Sequence, residues 1–206
     1  RLALIIMFTG VGIMNSQAQE DLVKFGIDDT QNIPMGLKVG DVAPIIFETA
    51  INGQEINTAD LVGKEEVVVI FYRGKWCPVC NKYLSNLSDS LDMIESKAKV
   101  IVIGPESFEN ASKEEAIQEN AFTIVADTNG MYLAGFDVVF TVTDKYVKKI
   151  NTFLHTSIAG NNGQQEAQLP VPATYVIGKD GKIKYRHFDY NYKVRASAKD
   201  ILGALE

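Results

Sequence analysis

The sequence predicts an α/β fold, a central mixed β-sheet flanked by helices, and three observations predict it. Short uncharged runs rich in β-branched residues recur along the chain, at Val67 to Tyr72, Val100 to Ile103, Phe122 to Ala126 and Thr174 to Ile177. Between them lie longer stretches with apolar residues at helical spacing. A turn signal, Asp180-Gly181, joins the last of these runs to Lys182 to Arg186, which makes an antiparallel hairpin. Strands alternating with helices imply right-handed crossovers and a sheet covered by helices.

Each element has its own justification. Val67 to Tyr72 carries no charge and reads as a strand buried on both faces. Asn81 to Lys97 continues as a helix, with Tyr83, Leu84, Leu87, Leu91 and Ile94 forming a one-sided stripe. Val100 to Ile103 is a second buried strand, stopped by Gly104 and Pro105. Ser112 to Asn120 reads as a solvent-facing helix, and Phe122 to Ala126 as a strand that ends at a DTNG turn. Lys145 to Leu154 presents Val147, Ile150 and Leu154 on one face, the pattern of a helix docked on the sheet. Residues 159–168, AGNNGQQEAQ, read as a surface loop.

At 206 residues and a net charge of −6, the chain is of single-domain size, and its charge excludes nucleic acid and anionic membrane surfaces as natural partners. No repeat, glycine-rich phosphate loop or pair of carboxylates appears. Leu2 to Ile13 is apolar and is followed by NSQAQE, which reads as a secretory signal peptide over 1–18 cleaved after Ala18, or else an uncleaved anchor. The first residue is not Met, so the leader is expected to begin upstream of Arg1. Residues 19–36 are expected to be a flexible mature N-terminus and 37–206 the folded domain. Export places the protein in a bacterial periplasm or cell envelope.

The chemistry is concentrated in VVVIFYRGKWCPVC, where the only two cysteines, Cys77 and Cys80, stand three apart at a strand-to-helix turn. Residues three apart on a helix have Cβ atoms about 5–6 Å apart, near the separation a disulfide needs. Pro78 suits the first helical position, which puts Cys77 at the N-cap and Cys80 in the first turn. Unpaired N–H groups and the positive end of the helix dipole then favour thiolate over thiol. A structural disulfide closing so short a loop constrains the unfolded chain little. A zinc site needs two further ligands, and His155 and His187 are single and far away in sequence. Two inert buried thiols are the third alternative. No cofactor and no metal are expected.

The segment FYRGKWCPVC resembles the active-site segment of thioredoxin-fold redoxins, most closely of the AhpC/TSA, peroxiredoxin-like family. VGDVAP (Val39 to Pro44) is similar to the lead-in of those domains, and Gly53 to Gly63 to the hairpin before the first core strand. PVPATYVIGKDGKIKY (Pro170 to Tyr185) is similar to the family's proline loop, strand and DG hairpin. The resemblance implies a thioredoxin-like fold with an N-terminal β-hairpin extension. It makes Cys77 and Cys80 the catalytic pair, Pro172 a cis-proline facing them, and Trp76, Pro172 and Arg73 the substrate-contacting residues. Peroxiredoxins carry PxxxTxxC. Here Arg73 replaces the proline, Cys77 the threonine, and Cys80 keeps the peroxidatic position, while Pro172 stands where an arginine is usual. Arg73 is either a positive charge beside the thiolates or a solvated loop residue.

The resemblance implies a peroxide or a protein disulfide as substrate and a thiol electron donor, thioredoxin-like or membrane-linked. By thioredoxin logic Cys77 attacks first; by peroxiredoxin logic Cys80 does and Cys77 resolves. Both give a Cys77–Cys80 disulfide. The alternative is a non-catalytic redoxin-fold binding module whose CxxC is regulatory or metal-holding.

Overall fold

The computed structural model describes residues 22–28, 30, 33–112 and 122–206. The leader expected over 1–18 lies outside them, as does the helix expected over Ser112 to Asn120 apart from Ser112 itself. A two-stranded hairpin, β1 (Phe47–Thr49) and β2 (Glu55–Asn57), precedes the core. Then follow β3 (Glu66–Phe71), α1 (Pro78–Ser88), α2 (Leu91–Glu95), β4 (Ala98–Gly104), α3 (Phe108–Ala111) and β5 (Thr123–Ala126). The second half comprises α4 (Met131–Gly135), β6 (Val139–Thr141), α5 (Asp144–Leu154), α6 (Ile158–Asn162), β7 (Gln168–Pro170), β8 (Ala173–Ile177), β9 (Ile183–Phe188) and α7 (Ala198–Ala204). The main sheet has the order β5-β4-β3-β8-β9, with β3, β4 and β5 parallel and β8 and β9 antiparallel to their neighbours.

Strand side chains alternate between faces, so β3 divides its residues between two cores. Val67, Val69 and Phe71 join Ile101, Ile103 and Tyr175 under α4 and the hairpin. Val68, Ile70 and the following Tyr72 join Val100 and Val102 under α1, α2 and α7. A third apolar cluster gathers Leu22 and Ile27 with β6, α5, α6 and β7.

Five expectations need correction. The helix expected over Asn81 to Lys97 is two helices, because Ser88, Asp89 and Ser90 are weak helix formers that compete for backbone groups. Ser88 Oγ donates to Ser85 O at 2.7 Å, and Ser90 leaves helical geometry at φ −118°, ψ 5°. The loop expected over 159–168 starts as α6, capped by the Ser157 side chain and ended by Gly163 at φ 65°. Helix α5 buries Tyr146 and Ile150 in the third cluster rather than on the main sheet, and Leu154 is exposed. The described part of 19–36 is packed, not loose: Leu22, Phe25 and Ile27 are buried, and Ile27 bridges Val142. Pro172 is buried, but its peptide bond is trans, like every other among the described residues. Val171 N–H is tied to Val138 O at 2.7 Å, and the chain passes from there directly into β8.

Candidate active site

The site forms where β3 and β4 end side by side. Such carboxyl ends of parallel strands are where ligands and reactive groups collect in open α/β sheets. Strand β3 delivers Tyr72 and Arg73, then the turn Gly74-Lys75-Trp76 leads into α1. Cys77 is the N-cap residue, in extended geometry at φ −92°, ψ 104°, with Pro78 in the first turn. Its carbonyl accepts from Cys80 N–H at 3.0 Å and Asn81 N–H at 3.1 Å. This arrangement points both sulfurs inward. Cys77 is 2% exposed and Cys80 0%, and their sulfurs lie 2.8 Å apart in hydrogen-bond contact.

The two thiols are electrostatically unequal. Burial alone pushes the Cys80 thiol up. The hydrogen bond from Cys77 and the guanidiniums of Arg195 and Arg73 outweigh it and bring the pKa down to about 6. Cys77 moves upward, first because it is hydrogen-bonded to Cys80 and then because it is buried. Cys80 is therefore the sulfur that ionises first, and Cys77 the one that keeps its proton.

Arg195, in the turn between β9 and α7, supplies the nearest positive charge. Its Nη2–H donates to Cys80 Sγ at 3.3 Å, its Nη1–H to Phe71 O at 3.5 Å and its Nε–H to Tyr192 O at 2.8 Å. Arg73 is 3% exposed, which settles the choice between a solvated loop residue and an internal charge. Its guanidinium centre lies 4.2 Å from the Tyr192 ring centroid, 5.1 Å from Trp76 and 5.4 Å from Tyr146, and its Nη2–H donates to Tyr146 Oη at 3.0 Å. Aromatic faces partly replace the water this cation has lost. Burial pushes the Arg73 pKa down, but its neighbours Cys77, Tyr146 and Cys80 together outweigh it and leave the guanidinium protonated. Among the described residues, neither guanidinium is paired with a carboxylate.

Beneath the turn lies one more ionisable side chain. Glu106, two residues past β4, is 1% exposed. Its Oε2 accepts from Lys75 N–H at 2.8 Å and from the Tyr72 hydroxyl at 3.3 Å, while Oε1 is buried without a partner. Gly74, at φ +120°, makes room for it: a Cβ there would stand 2.7 Å from Glu106 Cδ and 2.8 Å from Trp76 Nε1.

The structure thus brings together Arg73, Trp76, Cys77 and Cys80. Trp76 is half-buried and packs against both neighbouring apolar clusters. Pro172 is buried at the start of β8 with no hydrogen bond or ring contact to the cysteines. Sequence reasoning missed Arg195, Glu106 and Tyr192. Arg195 is 115 residues from Cys80, and no local spacing announces it. Glu106 carried a usable signal, since it follows the strand adjacent to β3 at the same end of the sheet. No group of three or more metal-ligating side chains exists among the described residues.

A five-stranded sheet with a cysteine pair at the strand-to-helix turn defines a thioredoxin-fold protein. The chain belongs to the AhpC/TSA family, whose sequence pattern matches residues 39–186. It is 30% identical over 107 residues to peroxiredoxin Bcp of Escherichia coli K12, an alignment covering 50% of this chain and 65% of Bcp. It is 25% identical over 149 residues to the thiol-disulfide oxidoreductase ResA of Bacillus cereus, covering 71% of this chain and 68% of ResA. Among solved structures, the reduced 2-Cys peroxiredoxin of Plasmodium vivax superposes with a TM-score of 0.60 at 16% identity, over 82% of this chain and 80% of that one. That last likeness is one of fold.

Proposed function

We propose that the protein is a thiol-based oxidoreductase whose Cys77–Cys80 pair cycles between dithiol and disulfide, with a small peroxide as oxidant. The observation that carries this reading is the Cys80 sulfur, which has a guanidinium N–H at 3.3 Å and a second thiol at 2.8 Å. The Cys80 thiolate attacks the peroxide oxygen, the O–O bond breaks, and Cys80 becomes a sulfenic acid. Cys77 then attacks that sulfur, water leaves, and the disulfide forms with almost no movement of the chain. An external thiol donor returns two electrons.

Exchange with a protein disulfide is the second reading, favoured by the CxxC spacing and the likeness to ResA. Neither sulfur is exposed, so both readings need access through the turn, and a protein disulfide needs a wider opening than a small peroxide. A non-catalytic module would show no turnover at all. Arg73 and Trp76 stack on each other beside the cysteines, where they would contact substrate, and export to the periplasm or cell envelope is supported by the apolar stretch Leu2 to Ile13.

The test is stopped-flow oxidation of the reduced protein by hydrogen peroxide and, separately, by a model protein disulfide, following Trp76 fluorescence and free thiol. Fast oxidation by peroxide with slow exchange is the expected result. The reverse order of rates would assign protein disulfides as the substrate, and reaction with neither would leave the binding module.

A further inference from the structure

The guanidinium that touches Cys80 comes from an irregular stretch, residues 189–197, between β9 and α7. An arginine on such a stretch reaches readily into water, and a second guanidinium, that of Arg73, repels it from the same site. Neither cation has a carboxylate partner among the described residues, so other groups must hold them in place.

Tyr192 meets both. Its carbonyl oxygen accepts from Arg195 Nε–H at 2.8 Å, which leaves the Nη2–H of the same guanidinium aimed at Cys80 Sγ at 3.3 Å. Its ring lies 4.2 Å from the Arg73 guanidinium centre, nearer than the rings of Trp76 at 5.1 Å and Tyr146 at 5.4 Å. One residue thus fixes the edge of one guanidinium and covers the face of the other.

Tyr192 is in turn held from outside by the N-terminal segment. The Phe25 ring meets it edge-on, with 5.7 Å between centroids and 86° between planes. Phe25 is buried while Val23 is 43% exposed, so the segment turns the phenyl ring inward. Gly26 lies against the Tyr146 ring, where a Cβ would stand 2.5 Å from Cγ, and its carbonyl accepts from Thr143 N–H at 2.9 Å. The stretch is tied again at Tyr190, whose Oη–H donates to Pro34 O at 2.9 Å. Phe25, Tyr190, Tyr192 and Arg195 all lie outside residues 39–186, which match the family pattern. The clamp is built from segments that flank the family core.

We propose that Tyr192 is a positioning residue that holds Arg195 and Arg73 at the cysteine pair, and that Phe25 is the brace that keeps Tyr192 in place. The inference deepens the reading of Cys80 as the reactive sulfur of a dithiol–disulfide pair and rests on it. Both aromatic residues act on the sulfur through the cations. Loosening Tyr192 frees Arg195 to swing toward water, and Cys80 loses the opposite charge nearest to it. The other titratable groups that face Cys80 are Cys77 from α1, Tyr72 and Arg73 from the end of β3, and Glu106 from beyond β4. Of these only Arg73 touches Tyr192, and it keeps the rings of Trp76 and Tyr146 around it.

The experiment follows iodoacetamide alkylation of the reduced protein against pH, with the Cys80 peptide quantified by mass. Wild type should show a midpoint of about 6. Tyr192→Ala is expected to raise the midpoint by about one pH unit, the lower end of what an opposite charge at close range supplies, and so to slow alkylation at pH 6 about fivefold. Tyr192→Phe keeps both the ring and the carbonyl and should restore the wild-type midpoint. Phe25→Ala, which alters no residue that touches a sulfur, should move the midpoint in the same direction by less. A midpoint unchanged in Tyr192→Ala and Phe25→Ala, whatever happens to their urea stability, overturns the inference. So does a Tyr192→Phe protein shifted as far as Tyr192→Ala, or a wild-type midpoint near the roughly 8.5 of an ordinary cysteine. If Tyr192→Ala does not fold, Phe25→Ala decides alone. Peroxide treatment of wild type is read separately: absence of the Cys77–Cys80 disulfide would sink the cycling reading and leave the alkylation midpoints untouched.

Discussion

The two faces of the central sheet are built from alternate residues of the same strand, yet they do different work. Toward α4, Val67, Val69 and Phe71 meet Phe136 and Tyr175 in a packed aromatic core, with Phe71 5.0 Å from Phe136 and 6.2 Å from Tyr175 between ring centroids. Toward α1, Val68 and Ile70 lead to Tyr72 and Cys80, where the last turn of packing contains a thiolate, two guanidiniums and a carboxyl. The difference teaches that burial is the common material and that the partners at the strand end decide its use. A hydrocarbon neighbour turns burial into stability, whereas an ionisable neighbour turns it into an altered charge.

That contrast breaks most completely at the sulfurs. Cys80→Ser should abolish peroxide consumption while the far-ultraviolet circular dichroism is unchanged, and Cys77→Ser should oxidise once and stop at a sulfenic acid trapped by dimedone. On the opposite face, Phe71→Ala should cost about 3–5 kcal/mol of unfolding free energy by urea titration, as aromatic-to-alanine changes in cores do. It should leave the pH midpoint of Cys80 alkylation where it is. Movement of that midpoint would show that the two faces are coupled.

The charged face should reveal itself through pH. The folded pKa of Cys80 is about 6, below the roughly 8.5 of an ordinary cysteine, so between those values the unfolded chain holds a proton that the native reduced chain has released. Stability of the reduced protein should therefore rise with pH across this window and fall as pH drops through about 6, by on the order of 3 kcal/mol relative to Cys80→Ser. Urea midpoints measured at several pH values check the slope. Arg195→Met removes the cation at 3.3 Å and should slow iodoacetamide alkylation of Cys80 near pH 7 by roughly twofold to ninetyfold, since an opposite charge at such range lowers a pKa by about 1–3 and Cys80 starts from about 6. An unchanged rate would transfer the credit to Arg73. The smallest effect belongs to the exposed edge: Lys184→Ala breaks the 2.9 Å ion pair to Glu66 and should cost less than about 1 kcal/mol, vanishing at high salt.

Local pattern made much of this legible. The uncharged run at β3, the Asp180-Gly181 hairpin and the cysteine pair with Pro78 were read from short segments, because each depends on residues within about one turn or one strand of each other. What escaped depended on distance or on weak local signals. Arg195 reaches Cys80 across 115 positions, and nothing in YNYKVR distinguishes it from a surface arginine until the chain is folded. The break after α1 hid behind an unbroken apolar stripe, since Leu91 and Ile94 keep helical spacing even though Ser90 does not keep helical geometry. Helix α6 was concealed by polar residues, although Ser157 and Gly163 at its two ends are ordinary capping signals. For Pro172, similarity to the proline loop suggested a cis bond that the backbone does not adopt.

The wide spacing of the site along the chain has a consequence for synthesis. Cys80 emerges early, but the guanidinium that holds its charge comes from a turn near the last helix. Until that turn has docked, one of the two cations that lower the Cys80 pKa is missing, and less of the sulfur is thiolate. The full lowering of the Cys80 pKa is thus a property of the finished molecule, and a growing chain carries that cysteine in a less ionised form.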